Sequence, residues 1–221
     1  MLNYLIMIDS YKHKGLRKRL VSTVKSKGIK DEKILEAIGK IPRHFFIDSS
    51  FLEFSYQDKP FPIGSGQTIS QPFTVAFQTD LLNVKKGDKI LEVGTGSGYQ
   101  ACVLLELKAK VYSIERQKKL YLKAQKFLPT IGYRPKLFYG DGYKGLKAFA
   151  PFDKILITAG APAIPDDLID QLKPGGILVA PIGDGNVQIM KRLIKNIDGN
   201  IKEENHGNFR FVPLLMNKAD N

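Results

Sequence analysis

Residues 89–98 read Lys89-Ile90-Leu91-Glu92-Val93-Gly94-Thr95-Gly96-Ser97-Gly98, and this stretch decides the fold of the 221-residue chain. Its first half is a short apolar run that suits a buried strand. Its second half holds three glycines at alternate positions, which let the backbone turn sharply and let a ligand approach it closely. A strand that ends in such a turn is typical of α/β folds that bind ligands beyond the carboxyl ends of their strands.

The same pattern of a short apolar run followed by a helical stretch repeats beyond residue 85. Further strands are predicted at residues 110–114, 136–139, 154–158 and 177–181, and helices at residues 98–107, 117–128 and 166–172. Alternation of this kind predicts a parallel sheet covered on both faces. Residues 187–194 and 209–214, joined through Asp198-Gly199-Asn200, indicate antiparallel strands at one edge. We therefore expect an α/β fold with a doubly wound, mostly parallel seven-stranded sheet.

The chain before residue 71 has a different character. Leu16, Leu20 and Val24 recur at helical spacing, and Asp31 suits the N-cap of a second helix. Residues 45–70 are rich in aromatic residues, proline and glycine without a clear period, which predicts an ordered loop region. We interpret residues 1–221 as a single domain, with helices and covering loops over residues 1–70 and the α/β core over residues 71–221.

The composition narrows the classes of function. A net charge of +12 would suit nucleic acid, but the basic residues are spread along the chain and their densest cluster, residues 12–19, suits a solvated helix face. Cys102 is the only cysteine, which excludes an internal disulfide and a cysteine metal cluster. His13, His44 and His206 are far apart in sequence, and we predict no metal. The apolar residues 2–8 are too short to span a membrane and lack the features of a secretory signal, so we expect a cytoplasmic protein.

Acidic residues stand at the ends of three successive predicted strands. Glu92 would repel a phosphate but suits the ammonium or sulfonium of an adenosyl amino acid, and Glu115 can accept hydrogen bonds from both ribose hydroxyls. Asp141 offers an acceptor for an adenine amino group. The glycine spacing also differs from the G-x-G-x-x-G of a dinucleotide fold. Each feature alone fits an ordinary turn or strand end, but together they predict S-adenosyl-methionine as the cofactor.

A second unusual segment reads Gly66-Gln67-Thr68-Ile69-Ser70-Gln71-Pro72. In an extended segment alternate side chains share a side, so Thr68 and Ser70 would present two hydroxyls together while Ile69 faces the core. Pro72 suits the first turn of a following helix. The alternative is that Ser70 only helps to cap that helix.

Several segments together resemble the protein-L-isoaspartate O-methyltransferase family, over about residues 41–214. They are residues 66–72, 91–99, 111–116, 140–142, 150–153, 164–176 and 210–214. Segment 66–72 is highly specific to that family, whereas the glycine loop is common to many methyltransferases. The chain departs from the family at Gln78, Leu146 and Leu215, where members often or sometimes have Met, Trp and Thr.

The resemblance implies a class I S-adenosyl-methionine-dependent methyltransferase fold and methyl transfer to the free carboxylate of L-isoaspartyl residues in damaged proteins and peptides. S-adenosyl-homocysteine would be the second product, and collapse of the ester to a succinimide would give repair over repeated cycles. The resemblance makes Ser70 the active-site residue. Cofactor contacts are implied for Thr68, Glu92, Gly94, Thr95, Gly96, Glu115, Arg116, Asp141 and Gly142. Substrate contacts are expected at Ile69, Ser70, Arg210, Phe211 and Val212. We expect a monomer without nucleic acid or membrane partners.

An RNA methyltransferase is the main alternative because the chain is basic. Enzymes that methylate exocyclic base nitrogens commonly carry [Asp/Asn]-Pro-Pro-[Tyr/Phe] after the fourth strand, where this chain reads Thr158-Ala159-Gly160-Ala161-Pro162. Methylation of cytosine C5 needs a cysteine nucleophile, and Cys102 is misplaced for it. A further alternative is a non-enzymatic module that keeps adenosyl-methionine as a structural ligand.

Overall fold

The computed structural model describes residues 8–220. Its helices are α1 (Tyr11–Ser26), α2 (Glu32–Lys40), α3 (Pro72–Leu82), α4 (Tyr99–Glu106), α5 (Lys118–Phe127) and α6 (Asp166–Gln171). Its strands are β1 (Phe61–Gly64), β2 (Gln67–Ile69), β3 (Lys89–Val93), β4 (Lys110–Glu115), β5 (Lys136–Tyr139), β6 (Phe152–Ile157), β7 (Leu172–Ile182), β8 (Gln188–Lys195) and β9 (Ile201–Phe209). No helix in this part of the chain is long and apolar enough to cross a membrane. The apolar stretch 2–8 lies outside the described residues except for Ile8.

A seven-stranded sheet forms the centre of the molecule, in the order β5-β4-β3-β6-β7-β8-β9. Strands β5, β4, β3, β6 and β7 run parallel to one another, whereas β8 and β9 add an antiparallel hairpin at one edge. The chain builds outward from β3 to β5, then returns to place β6 on the other side of β3. The carboxyl ends of β3 and β6 therefore border the crevice in which this class of fold binds ligands. The predicted doubly wound, mostly parallel sheet is confirmed.

The inner strands are buried on both faces. Leu91 and Val93 pack with Ile155 on one face of the sheet, while Ile90 packs with Leu156 on the other. This alternation follows from the two-residue period of a strand, and helices cover both faces. The rigid sheet fixes the strand ends that carry the polar residues.

The N-terminal helices pack onto the α/β core. Leu20 and Val24 of α1 share an apolar cluster with Ala76 of α3. The Asp31 carboxylate accepts a hydrogen bond from the Lys33 backbone N at 2.8 Å and so caps α2, as predicted. Residues before β1 are thus part of the same packed structure as the sheet.

Two predictions of secondary structure need correction. The strand predicted at residues 209–214 is wrong, because β9 begins directly after the turn at residues 198–200 and ends at Phe209. This edge strand is polar and exposed, so apolar composition pointed to the wrong segment. Residues 45–70 hold more structure than the predicted loop, with 3-10 helices at Arg43–Phe46 and Ser49–Phe54 and the β1–β2 hairpin.

Two of the three histidines, although far apart in sequence, are in contact in the structure. The rings of His13 and His44 stack with their centroids 3.9 Å apart, and each directs a nitrogen towards the Ile8 carbonyl oxygen, at 3.0 and 3.3 Å. Asp9 lies beside them but is paired with Arg17 at 2.9 Å. Because Arg17 already balances the Asp9 charge, we interpret the group as a hydrogen-bonded network. The absence of a metal stays a prediction.

Candidate active site

The hydroxyls of segment 66–72 lie on one side of a hairpin. Strand β2 pairs with β1 so that Thr68 stands opposite Pro62 and Ile69 opposite Phe61. Ile69 is buried, whereas Thr68 is exposed and Ser70 is half-buried. Thr68 and Ser70 both line two adjoining cavities, which we call the inner and the outer cavity. The predicted pair of hydroxyls is therefore present.

The Ser70 hydroxyl does not cap the helix that follows it. The N-cap residue of α3 is Gln71, whose side chain makes no capping bond. Instead, the Asp58 carboxylate accepts a hydrogen bond from the Phe73 backbone N at 2.8 Å. Within residues 8–220 the Ser70 hydroxyl makes no hydrogen bond, and only its backbone oxygen is engaged. The capping alternative is wrong, and the hydroxyl is available to a ligand.

The inner cavity lies where the carboxyl ends of β3, β4 and β6 meet. The predicted site residues that line it are Thr68, Ile69, Ser70, Gly94, Thr95, Gly96, Glu115, Arg116, Gly142 and Val212. The predicted residues outside its lining are Glu92, Asp141, Arg210 and Phe211. Most of the predicted cofactor contacts therefore share one cavity.

Gly94 brings bare backbone to this cavity. Its φ of +99° lies in a region that favours glycine, and a Cβ at this position would collide with the Thr158 hydroxyl. The Thr158 hydroxyl lies against both the Val93 and the Gly94 carbonyl oxygens, at 2.9 and 2.7 Å. The loop therefore has no room for a side chain at its first turn.

Glu115 fixes the glycine loop from the neighbouring strand. One of its carboxylate oxygens accepts the Gly96 backbone N–H at 2.8 Å and the other accepts the Gln117 backbone N–H at 2.8 Å. Glu115 is buried at the end of β4 yet lines the inner cavity. Its carboxylate is thus held in place, and its predicted hydrogen bonds to a ribose stay a prediction.

Glu92 lies behind the glycine loop. Its carboxylate is fully buried, and the Ser113 hydroxyl donates to one oxygen while also bonding the Thr95 hydroxyl at 2.6 Å. The other oxygen has no partner among the described residues. Burial raises the pKa of Glu92 to about 8. Glu92 is therefore largely protonated at neutral pH in the ligand-free protein and does not line the inner cavity, so its predicted contact with the cofactor stays a prediction.

Asp141 and Arg116 hold the C-terminal segment against the site. The Asp141 carboxylate accepts the backbone N–H groups of Tyr143 and Asn217, each at 2.9 Å. The Arg116 guanidinium donates to the backbone oxygens of Asn217 at 2.9 Å and Met216 at 3.3 Å. Direct contact of these two side chains with an adenosyl group stays a prediction.

The outer cavity adjoins the inner one at Thr68, Ser70, Thr158 and Val212, which line both. Of the predicted substrate residues, Ser70, Arg210, Phe211 and Val212 line the outer cavity, whereas the buried Ile69 lines only the inner one. Backbone hydrogen bonds between Gly160 and residues 212 and 214, at 2.8 and 2.7 Å, fix this segment beside β6. A ligand in each cavity would therefore meet at the two hydroxyls.

Sequence reasoning missed Thr158 as a site residue. It follows β6 directly, and its position at a carboxyl strand end was the available signal. Arg43 and Asp58, which contact the segment around Ser70, had no comparable signal because they come from distant parts of the chain.

The relatives of this chain identify its family. A model of the protein-L-isoaspartate(D-aspartate) O-methyltransferase family matches residues 15–219. The protein-L-isoaspartate O-methyltransferase of Christiangramia forsetii is 60% identical over 213 residues, which cover 96% of this chain and 100% of the relative. The protein of the same name from Dictyoglomus thermophilum is 48% identical over 205 residues, 92% of each chain.

Solved structures agree with this assignment. A Plasmodium falciparum structure, described as a protein-L-isoaspartate O-methyltransferase in complex with S-adenosyl-L-homocysteine, has a TM-score of 0.80 at 26% identity and covers 91% of this chain and 99% of its own. A second structure named protein-L-isoaspartate O-methyltransferase has a TM-score of 0.80 at 29% identity and covers 89% of this chain and 65% of its own. The chain belongs to the protein-L-isoaspartate(D-aspartate) O-methyltransferase family.

Proposed function

We propose that this chain is a protein repair enzyme that transfers a methyl group from S-adenosyl-methionine to the free carboxylate of L-isoaspartyl residues in damaged proteins and peptides. The observation that carries the proposal is the junction of the two cavities at Thr68 and Ser70, where the Ser70 hydroxyl makes no bond to the described protein. The inner cavity would hold the cofactor and the outer cavity the peptide.

The cofactor supplies, when bound, a methyl group on a positively charged sulfur. An isoaspartyl carboxylate is ionised at neutral pH, so the site needs no group to remove a proton from it. The lining of the outer cavity fits this requirement, because it contains no Asp, Glu or His among the described residues. The protein contributes orientation and exclusion of water instead.

We assign Ser70 the central role in orientation. Its hydroxyl donates a hydrogen bond to one oxygen of the substrate carboxylate and so directs the other towards the inner cavity. Thr68 lies on the same side of the hairpin and lines the inner cavity, where it would contact the cofactor. Residues Arg210, Phe211 and Val212 offer an edge to the substrate backbone, and their position beside the outer cavity supports this role.

The charge of the outer cavity supports an anionic substrate. The charged residues that line it, Lys27 and Arg210, are both basic. Lys27 is paired with Asp58 at 2.6 Å, whereas Arg210 is exposed. An anionic peptide is therefore favoured, but surface charges of this kind are screened by salt.

We propose that the enzyme acts as a cytoplasmic monomer without nucleic acid. The glycine loop and both hydroxyls of the site come from this chain, which is compatible with a monomer. The basic charge of +12 is spread over the sequence and does not require an RNA partner.

Transfer of a labelled methyl group tests the proposal. Wild-type protein is incubated with labelled S-adenosyl-methionine and one of three acceptors: an isoaspartyl peptide, the same peptide with a normal aspartyl residue, or total RNA. The expected result is base-labile label on the isoaspartyl peptide alone, because a methyl ester hydrolyses in base. Label on RNA would support the alternative methyltransferase, and cofactor binding without transfer would support a binding module.

A further inference from the structure

Arg43 is a fully buried guanidinium next to the segment that carries Ser70. It lies in the 3-10 helix Arg43–Phe46, and none of its surface is exposed. One terminal nitrogen donates hydrogen bonds to the backbone oxygens of Ser70 at 3.0 Å and Lys59 at 3.2 Å. The guanidinium lies over the Tyr99 ring, 4.9 Å from its centroid. Arg43 thus lies behind the segment that carries Ser70 and contacts its backbone, although it lines neither cavity.

The positive charge of Arg43 lacks a partner in the protein. No carboxylate of the described chain lies within salt-bridge distance of it, and its Nε and second terminal nitrogen make no hydrogen bond of good geometry. The Tyr99 hydroxyl is close enough to favour the charged form of Arg43 and to raise its pKa, but this group is neutral. Asp58 acts on it only at longer range. Burial lowers the pKa of Arg43 to about 10, so the group stays charged at neutral pH. Burial of an unpaired charge is unfavourable unless a ligand or a functional role compensates for it.

The hydrogen bonds of Arg43 hold two segments of the outer cavity together. Its bond to Ser70 fixes the peptide group that follows the active-site hydroxyl, and its bond to Lys59 fixes the residue before Pro60, which lines the same cavity. Asp58 supports the arrangement from the other side through Phe73 and Gln71, at 2.8 and 2.9 Å. Ser70 is therefore held from its backbone while its hydroxyl stays available.

We infer that Arg43 is a positioning residue for the reaction: it fixes the Ser70 peptide, and its buried positive charge biases the Ser70 site towards a carboxylate. This inference rests on the proposed role of Ser70. The charges of Lys27 and Arg210 are accessible to solvent, so salt weakens their attraction for an anion. The charge of Arg43 is buried, so salt screens it much less. A free carboxylate would thus be selected over a neutral amide of the same shape, even at high ionic strength.

Two substitutions test the role of the Arg43 charge. Arg43→Lys keeps a positive charge that can donate hydrogen bonds, whereas Arg43→Gln removes the charge and ends two bonds short of the nitrogen that contacts Ser70 and Lys59. We measure kcat and KM with an isoaspartyl peptide, the affinity for S-adenosyl-homocysteine, and inhibition by the corresponding isoasparaginyl peptide, whose carboxamide is neutral. Circular dichroism checks that each variant is folded.

The expected result is a fall in kcat/KM of about 10- to 100-fold in Arg43→Gln, as for loss of a charged hydrogen-bonding group. Arg43→Lys should be less impaired, and cofactor affinity should stay within about twofold in both variants. Arg43→Gln should also lose part of the preference for the isoaspartyl over the isoasparaginyl peptide. Unchanged kcat/KM in both variants, or equal losses that parallel a loss of cofactor affinity, would overturn the inference.

If neither variant folds, the role of the Arg43 charge can be tested with the wild-type protein. Its preference for the isoaspartyl over the isoasparaginyl peptide is then compared at low and at high salt. A preference that persists at high salt supports a buried charge, and one that disappears assigns the preference to the exposed basic residues and refutes the role of Arg43. Wild-type protein that methylates no isoaspartyl peptide would instead refute the proposed function, so the two failures are distinguishable.

Discussion

The inner and outer cavities meet at the same hydroxyls but are built in opposite ways. On the inner side, both oxygens of the Glu115 carboxylate already accept hydrogen bonds from backbone N–H groups of the protein. On the outer side, the Ser70 hydroxyl has no protein partner in the described chain, although its backbone is held by Arg43. The inner side is thus a preformed cradle, whereas the outer side leaves a polar group for the substrate. Binding and alignment are divided between them.

The largest effect is expected from a substitution that disrupts the glycine loop of the inner cavity. Gly94→Ala combines an unfavourable φ with a collision against Thr158. Together they should destabilise the ligand-binding conformation of the glycine loop by about 2 to 5 kcal/mol. We expect cofactor binding to fall by a factor of about 30 or more, measured by calorimetry with S-adenosyl-homocysteine. Gly87→Ala is the matched control, because Gly87 also has a positive φ, +92°, but an added Cβ meets nothing within 4 Å. Equal cofactor affinity in the two variants would show that the bare backbone at Gly94 is not needed for cofactor binding.

Glu92 should make the stability of the ligand-free protein depend on pH. Its pKa is about 8 when folded, against an ordinary value of 4.5, so the folded state keeps a proton that the unfolded chain loses. The Glu92 contribution is therefore complete below pH 4.5 and is lost as the pH rises to 8, by up to about 1.4 kcal/mol per pH unit. We expect the free energy of unfolding of the wild type to fall over this range relative to Glu92→Gln, measured in urea. Parallel pH profiles for the two proteins would refute a buried, protonated Glu92.

Ser70→Ala tests the outer side by itself. Loss of a hydrogen bond to a charged group costs about 1.5 to 3 kcal/mol, which predicts a fall in kcat of about 10- to 100-fold with unchanged cofactor affinity. Ser65→Ala is a suitable control, because Ser65 is an exposed residue of the same hairpin outside both cavities. Full turnover of Ser70→Ala on an isoaspartyl peptide would show that the hydroxyl does not align the substrate.

Thr158→Val should have the smallest effect, and it should lower both cofactor affinity and turnover. Its hydroxyl bonds the backbone of β3 and the glycine loop and lines both cavities, so we expect a loss of about 0.5 to 1.5 kcal/mol in stability with modest losses in cofactor affinity and turnover. Thr130→Val removes a comparable hydroxyl-to-backbone bond, to Phe127 at 2.6 Å, at an exposed position. Similar kinetics for both variants would show that the Thr158 hydroxyl contributes to neither cavity.

The cradle could be predicted from the sequence because its rules are local. A strand end is recognisable from a few apolar residues, and Gly94 and Glu115 follow directly from it. The paired hydroxyls of Thr68 and Ser70 could be predicted for the same reason, since the two-residue period of an extended segment is local. The predicted bounds of β3 and β5 agree with the structure.

The supports of Ser70 could not be predicted, because they depend on contacts between distant residues. Arg43 lies 27 positions from Ser70, and Asp58 lies 15 positions from Phe73. Nothing in either local sequence indicates such a partner. The polar edge strand β9 and the stacked pair of His13 and His44 were missed on similar grounds, since exposure and tertiary packing outweigh local composition there.

A crystal structure of the protein with S-adenosyl-homocysteine and an isoaspartyl peptide would show whether Ser70 aligns the substrate. We predict that the free carboxylate lies in the outer cavity with one oxygen within about 3.2 Å of the Ser70 hydroxyl, and that the cofactor product lies against the glycine loop. A carboxylate bound away from Ser70, with that hydroxyl turned to a protein partner, would contradict this prediction.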